Sequence, residues 1–424
     1  MNIFILTASP FFGGPERQMT GLAETLRRLH PDVRSIIASF SEKGNARPFL
    51  EKAAAAGFET IELQNDFPHL LRAKKELQTI LQERQIDLIL ANGHKARCVA
   101  WLAAKSGRIP VVGVSRGWTD ENFKIRLYNR FDLFLLRRMQ HIISVSDGQA
   151  EKMKRLGIPG DRVTVIRNAI RTDRFDEKPD TSFRQTLEAM FPVKPRFLLG
   201  AAGRLSPEKG YDVLIEAMRR LSERNISAGL VIFGDGFLRE TLEKQAESFG
   251  VQNMVRLPGF TGDLDRFLPN FDLFVQSSYT EGLPNVLLES MAAQTAVVAT
   301  RVGGTPEVVE EGVTGLMVAP KNANELAAAI AKLLENPERL ADMGVAGKKR
   351  VERLFTFDIQ AEQYYELFRR YVGTHEAGGG RHEAGGKRGL QSPDAGGGRV
   401  EFSTFLDEFT ARFDDFTQKS RIRD

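Results

Sequence analysis

From its first residues the chain alternates short apolar runs with segments of helical period, and that alternation limits what it can fold into. Asn2 to Thr7 (NIFILT) runs into Phe12-Gly13-Gly14-Pro15-Glu16. A stretch carrying Met19, Leu22, Ala23, Leu26 and Leu29 at helical spacing follows. Unbroken apolar runs suit strands buried on both faces, as parallel sheets require, and the helix between two such strands supplies the right-handed crossover. The pattern recurs, with strands over Val33 to Phe40, Glu59 to Leu63, Ile86 to Ala91, His141 to Ser146 and Val163 to Ile166. Helices over Ala46 to Ala56 and Leu70 to Glu83 separate the early ones. It starts again at Phe197 to Gly203 and continues through Leu230 to Phe233, Leu273 to Val275 and Ala296 to Thr300. Two such series predict an α/β chain of two parallel-sheet domains, with ligands gathered at the carboxyl ends of the strands.

The length of 424 residues supports two ordinary domains with full cores plus extra material. Hydrophobic residues make up 42% and charged residues 27%, the balance of a soluble globular protein. No apolar run approaches the roughly 20 residues of a membrane helix, and no signal peptide precedes the first strand, so cytoplasmic residence is expected. The single cysteine, Cys98, excludes an internal disulfide and a Cys-rich zinc site. Residues 1–170 carry 26 Lys and Arg against 17 Asp and Glu, so the basic charge sits in the first half. Such a surface attracts anionic lipid or phosphorylated acceptors, and equally it is a solvated face. Nucleic-acid binding would fit the charge but lacks a recognisable module.

The most informative stretch is Glu281-Gly282-Leu283-Pro284-Asn285-Val286-Leu287-Leu288-Glu289. An apolar strand precedes it, and Pro284 occupies the first helical position, where its missing N–H is no loss. The open amides of such a helix start attract an anion. Glu281 stands just before them, and Glu289 lies roughly 6 to 8 Å further along the axis. A phosphate at the helix start would be flanked by two hydroxyl-seeking carboxylates, the layout of ribose, diphosphate and hexose in a nucleotide sugar. Two glutamates on a solvated surface helix give the same spacing.

A second cluster lies in Gly203-Arg204-Leu205-Ser206-Pro207-Glu208-Lys209-Gly210. Arg204 can grip phosphate oxygens bidentately, and Lys209 offers a compact charge. On these residues the chain resembles the GT-B glycosyltransferases of family 4. Glu281 and Glu289 match its E-x7-E signature, and Arg204 and Lys209 its G-R-x-x-x-x-K-G loop. The resemblance covers residues 1–373. It implies two Rossmann-like domains facing a cleft, with the donor held by the second. Arg204 and Lys209 would then hold the diphosphate, with Gly282, Leu283, Pro284 and Asn285 at the helix start. Glu281 would contact the donor sugar as a catalytic residue, and Glu289 the ribose. Gly13 and Gly14 are carried over as donor-side glycines, and Gly234, in Gly234-Asp235-Gly236, as a nucleoside neighbour. Glycine is also what a tight turn needs at any of these positions. The implied reaction moves a sugar from a nucleoside diphosphate to a hydroxyl with retention of configuration. Arg204, Lys209 and the helix start stabilise the leaving group, so neither metal nor cofactor is expected.

On the acceptor side, Asn92, His94 and Lys95 sit at a strand end. His94 is a candidate base or hydrogen-bonding group. Family members often read His-Gly-Tyr-Lys here, which sets the family histidine against Asn92, and another family histidine before Gly-Trp is Arg116 in this chain. Asp263-Leu264-Asp265 invites a metal reading, but carboxylates opening the helix Leu264 to Leu268 explain it. Phe123 to Met139 mixes arginines with leucine and phenylalanine, as a membrane-surface helix or a helix with one core face would.

These readings divide the chain into an acceptor-side domain (1–170), a linker (171–195) and a nucleotide-sugar domain (196–355). A helix packing back on the first domain (356–373), a glycine-rich linker (374–400) and a Phe-striped tail helix (401–424) follow. The expected partners are a nucleotide-sugar donor and a glycan or lipid-linked acceptor, in cell-surface glycan or lipopolysaccharide synthesis, with peripheral contact at the inner face of the cytoplasmic membrane. Nucleic acid is not expected. A nucleotide-sugar epimerase and a non-catalytic nucleotide-sugar-binding scaffold are the alternatives.

Overall fold

The computed structural model describes residues 1–8, 13–67, 69–107, 109–117 and 123–376; at 43, 105–107, 123–128 and 373–376 only the backbone is described. The tail helix and all but the first residues of the glycine-rich linker lie outside these, as does Trp118.

The first sheet has seven parallel strands: β1 (Asn2–Thr7), β2 (Arg34–Phe40), β3 (Glu59–Leu63), β4 (Leu88–Asn92), β5 (Val111–Ser115), β6 (His141–Ser144) and β7 (Val163–Val165). Their order is β3-β2-β1-β4-β5-β6-β7. The second has six: β8 (Phe197–Ala202), β9 (Ala228–Phe233), β10 (Val255–Gly259), β11 (Leu273–Gln276), β12 (Val297–Thr300) and β13 (Gly315–Val318). Their order is β10-β9-β8-β11-β12-β13. Both are doubly wound sheets whose order reverses beside the first strand, at β1/β4 and at β8/β11. Loops diverge there and leave a crevice at the carboxyl ends. β4, β9 and β11 are buried along their whole length, because helices cover both faces.

The helix Phe357–Glu376 returns to the first domain and lies against the helix Gly14–Leu29. Phe357, Ala361, Tyr364, Leu367 and Phe368 are its buried face. Gly21 makes room for it, since a Cβ there would lie 2.6 Å from Phe357 Cε1. The two chain crossings touch each other, Ile170 N–H donating to the Phe355 carbonyl at 2.9 Å.

Several expectations need correction. Residues 171–195 are not all linker: the helix Thr181–Ala189 is part of the second domain, with Leu187 and Phe191 packed into the apolar cluster of Leu198, Val231 and Phe271. Of the three residues read at the strand end, only Asn92 belongs to the strand, and His94 and Lys95 open the helix His94–Gly107. The last helix passes Tyr371 and Val372 and reaches Glu376. Two helices, Arg239–Ser248 and Pro337–Leu354, were not read from the sequence. The mixed segment at 123–139 forms the helix Phe123–Leu136 and sends Phe131, Leu135, Leu136 and Met139 into the core of the first domain, as a helix with one core face does.

Candidate functional site

The loop after β8 is shaped by glycine. Gly203 has φ +154, and a Cβ on it would lie 2.9 Å from the Tyr211 hydroxyl and 3.4 Å from Lys209 Cε. Gly234, φ +138, packs its Cα so close to the Gly203 carbonyl that any Cβ would overlap it. These glycines press the loops after β8 and β9 together, and Lys209 folds over them from the turn Pro207–Lys209. Gly210, left-handed at φ +61, then starts the helix Tyr211–Glu223.

The loop after β11 lies beside it. Ser277 Oγ donates to the Lys209 carbonyl at 2.9 Å. Lys209 Nζ and Ser278 Oγ both donate to Glu281 Oε1, each at 2.7 Å. The two charged side chains are only 22% and 11% exposed, so the pair is a partly desolvated, charge-assisted hydrogen bond rather than a surface ion pair. Groups 72 residues apart in the chain thus meet at the second switch point. Arg204 keeps to the edge: its side chain is 71% exposed and donates to buried Glu208 at 3.0 Å, where Ser206 Oγ also donates at 2.6 Å.

The helix Asn285–Ala292 starts one residue later than expected, with Pro284 as its N-cap, whose carbonyl accepts from Leu287 N–H at 3.2 Å. The loop that leads into it is held by the Gly303–Gly304 turn. Gly304 N–H donates to the Gly282 carbonyl at 2.9 Å, and Gly303, φ +50, leaves no room for a Cβ against the Glu281 carbonyl. Glu289 faces the other lobe, 3.6 Å from Arg17 Nη1 on the helix Gly14–Leu29. Burial pushes the Glu289 carboxyl above its ordinary range, against the pull of Arg17 and Arg174.

The first lobe meets this assembly backbone to backbone. A Cβ on Gly282 would overlap the Arg116 carbonyl, and one on Gly117 would stand 3.3 Å from Gly282 Cα. Asn168, following β7, donates Nδ2 to the Leu283 carbonyl at 3.1 Å and to Asn285 Oδ1 at 2.8 Å. Gly14 is 3.1 Å, by its would-be Cβ, from Asn285 Nδ2. Gly13 N–H donates to Glu16 Oε2 at 2.8 Å, the glutamate half of a capping box, since glycine has no side chain to return the bond. Further out, Glu307 accepts from Gly148 N–H at 3.2 Å and from Arg167 Nε at 2.9 Å, and Arg167 also holds Asp147.

On the acceptor side, Asn92 is buried and accepts from Arg116 Nη2 at 3.4 Å, while Arg116 Nη1 donates to Asn168 Oδ1 at 3.1 Å. Burial lowers the Arg116 pKa, opposed by Tyr364 and Glu16. Lys95 does not join them: it donates to Glu42 at 2.7 Å and Asp66 at 2.5 Å, which follow β2 and β3. His94 has an open face, yet the protein around its ring holds its pKa below the ordinary value. Asp132 opposes that shift, while Arg97 and Lys95 add to it. Burial pushes the Cys98 thiol, which is fully buried, up to about 12.

The structure therefore brings Lys209, Glu281, Gly282, Leu283, Pro284 and Asn285 together with Gly14, Asn92 and Arg116, leaves Arg204 at the edge and turns Lys95 away. The sequence reading missed Ser278, Asn168 and Arg17. Asn168 lies just beyond the strand read at Val163 to Ile166, and the other two carried no signal. Asp263 occupies the N-cap position of the short helix Leu264–Phe267 without a side-chain capping bond, and Asp265 lies 3.8 Å from Arg174. Among the described residues no group of three or more His, Cys, Asp or Glu is placed to hold a metal ion. A groove of about 740 Å³ lies elsewhere, at the two chain crossings, lined by Glu24, Arg28, Arg171 and Phe357 among others. It shares no residue with the polar cluster.

Two doubly wound lobes whose strand ends meet around paired cations and carboxylates make this a GT-B protein. The family models sharpen that. "Glycosyltransferase Family 4" matches residues 12–174 and "Glycosyl transferases group 1" residues 186–350, so both lobes are taken in. The chain belongs to the group 1 glycosyltransferases of family 4 type. It is 34% identical over 207 residues to a GDP-mannose-dependent alpha-(1-6)-phosphatidylinositol monomannoside mannosyltransferase of Mycobacterium tuberculosis, covering 47% of this chain and 53% of that protein. It is 29% identical over 234 residues to the putative colanic acid biosynthesis glycosyltransferase WcaL of Escherichia coli, covering 53% and 55%. The matched stretch spans about half the length of these curated relatives. In fold it is similar to Anabaena HepE, solved in complex with UDP-glucose, with a TM-score of 0.76, 24% identity and coverage of 87% of this chain and all of that one.

Proposed function

We propose that this protein is a glycosyltransferase that moves a sugar from a nucleoside diphosphate to a hydroxyl group, with retention of configuration. The observation that carries the reading is the Lys209–Glu281 contact beside the Pro284–Asn285 helix start. It sets a cation and open amides for a diphosphate next to a carboxylate for sugar hydroxyls. Cleavage of the anomeric bond builds an oxocarbenium-like centre and a diphosphate of growing negative charge. Lys209 and the helix start stabilise that charge, and Arg204 swings in from Glu208 to add a bidentate grip. Glu281 orients the donor sugar, and Glu289, facing the other lobe beside Arg17, meets the ribose. His94 and Asn92 face the acceptor. The named relatives, a mannosyltransferase acting on a phosphatidylinositol mannoside and a putative colanic acid enzyme, support a glycan or lipid-linked acceptor in cell-surface synthesis. A lipid-linked acceptor would be met by peripheral contact at the cytoplasmic face of the membrane. No helix among the described residues is long and apolar enough to cross a membrane.

The test is a panel of nucleoside diphosphates read by thermal stabilisation, then transfer from the matching nucleotide sugars to neutral and lipid-linked glycosides. Stabilisation by one base class, and its loss in Lys209→Met, is expected. A protein stabilised by none of them would overturn the reading, and a donor altered without acceptor would replace it with epimerase activity.

A further inference from the structure

Arg116 is unlike the buried arginine beside it. Arg97, in the same lobe, donates Nε to Asp132 Oδ1 at 2.9 Å, Nη2 to the same oxygen and Nη1 to the Val114 carbonyl, so a carboxylate neutralises it and every nitrogen is matched. Arg116 has only neutral partners, Asn168 Oδ1 at 3.1 Å and Asn92 Oδ1 at a long 3.4 Å. Among the described residues no carboxylate stands in ion-pair contact with it. Glu16, whose charge reaches it, holds its own carboxylate on the Gly13 N–H. Arg116 Nε is shielded from solvent without an acceptor, and so is Nδ2 of Asn92, a residue only 5% exposed. Native interiors seldom leave two neighbouring donors unmatched, and a guanidinium least of all. A structural tie between the lobes would need only the Asn168 contact.

The place is also telling. Asn92 ends β4 at the first switch point, and Arg116 follows β5 beside it. The Arg116 backbone packs on Gly282, next to Glu281, and Asn168 links the guanidinium to Leu283 and Asn285. We propose that Arg116 and Asn92 form an oxyanion subsite in the first lobe that receives a carboxylate or phosphate group of one of the two substrates. The substrate class is thereby narrowed to sugars carrying an acid, either a uronate or phosphosugar acceptor or a uronate donor. This deepens the proposed function and rests on it.

The test starts from binding, with the nucleoside diphosphate at saturation so that the Lys209 site is filled. Inorganic phosphate and glucuronate are titrated calorimetrically into the wild type, Arg116→Gln and Asn92→Ala. Wild-type binding that weakens at least fivefold in both variants, with diphosphate affinity moving less than twofold, is expected. Transfer is then compared for neutral and acidic members of matched pairs: hexose and hexuronate donors, and acceptor glycosides with and without a 6-phosphate. The wild type should favour the acidic member of one pair at least tenfold in kcat/KM. Arg116→Gln should erase that preference and Arg116→Lys restore part of it. The pair that shows the preference identifies which substrate carries the acid. Equal losses on both members, a wild type indifferent to charge in both pairs, or lost diphosphate affinity in Arg116→Gln would overturn the subsite. A chain that binds no nucleoside diphosphate would instead refute the underlying function, and the phosphate titration is then read without it.

Discussion

Glu281 and Lys209 neutralise each other at 2.7 Å, so the carboxylate competes with any diphosphate for the lysine. Glu281→Gln removes that competition. A phosphoryl oxygen seated on Lys209 would bring its charge to about 5 Å from the carboxylate, a repulsion of about 3 kcal/mol per unit charge at an effective dielectric constant of about 20. Residual exposure of both side chains screens this to about 1 to 2 kcal/mol, a factor of about 5 to 30 in affinity. The variant should therefore bind the free nucleoside diphosphate 5- to 30-fold more tightly, by about that estimate. The nucleotide sugar should gain less, because the amide loses a charged contact to sugar hydroxyls. Turnover should fall by roughly two orders of magnitude, because an interaction with the reacting sugar is removed. Lys209→Met should go the other way, weakening the free diphosphate about tenfold, as loss of a charge-assisted contact does. Titration calorimetry with the free diphosphate and the nucleotide sugar on each variant gives the affinities, and a transfer assay gives the turnover. If Glu281→Gln weakens the free diphosphate as Lys209→Met does, the two side chains do not oppose each other at the phosphates and the proposed donor site is wrong.

Gly303→Ala should cost about 2 to 4 kcal/mol in urea unfolding, since it combines a left-handed backbone with overlap on the Glu281 carbonyl. Gly250→Ala, left-handed at φ +70 but in open space, should cost only about 1 kcal/mol, so equal effects would refute the packing account. His141 is buried between Thr164 Oγ1 and the Tyr371 hydroxyl, each at 2.8 Å, and burial, with Arg370 and Arg162, lowers its pKa to about 4. The unfolded imidazole takes up a proton near 6.5 while the folded one refuses it, so stability should fall as pH drops from about 6.5 to 4, by up to about 3 kcal/mol, and not further below. Unfolding midpoints across that range should flatten in His141→Gln; an unchanged slope would exclude this histidine. Glu307→Ala removes two contacts between the lobes and should cost the closed form about 1 to 2 kcal/mol. Small-angle scattering should then show an enlarged apo radius that saturating nucleoside diphosphate reverses.

The fold was legible because parallel strands buried on both faces are apolar throughout. Glu59–Leu63 and the helix Leu70–Glu83 appear at their predicted bounds. Polar helices were harder. Arg239–Ser248 buries only Leu242 and Ala246, and Pro337–Leu354 only Met343, Gly344, Gly347 and Val351, too few apolar positions to stand out in the sequence. The helix after Asn92 escaped because Gly93, left-handed at φ +84, reads as a loop signal although His94 begins a helix directly behind it. In the site, the convergence of Lys209 with Glu281 followed from two local motifs, each at a switch point of one sheet. Contacts between lobes were invisible for a different reason. Gly282 against the Arg116 carbonyl, or Asn168 on Leu283, depends on how two separate sheets are set against each other, which no local spacing encodes.

The charge pairs at the strand ends suggest how one site serves two kinds of ligand group. Lys209 with Glu281, Arg204 with Glu208 and Arg17 with Glu289 each join a cation to an acid, which keeps the site close to neutral and limits the cost of holding charges out of water. Under the proposed function a nucleotide sugar would carry what each partner needs, oxyanions for the cations and hydroxyls for the carboxylates, so its binding would exchange partners rather than strip them. The 3.6 Å separation of Arg17 and Glu289 across the lobes makes that pair the weakest of the three. Arg116 stands outside the scheme. With only amide oxygens to hold it and with a shielded Nε unmatched, it has no acid to release. A group that binds it must bring its own negative charge, and for that reason the acid of the substrate, rather than its hydroxyl pattern, is what this corner of the first lobe should select.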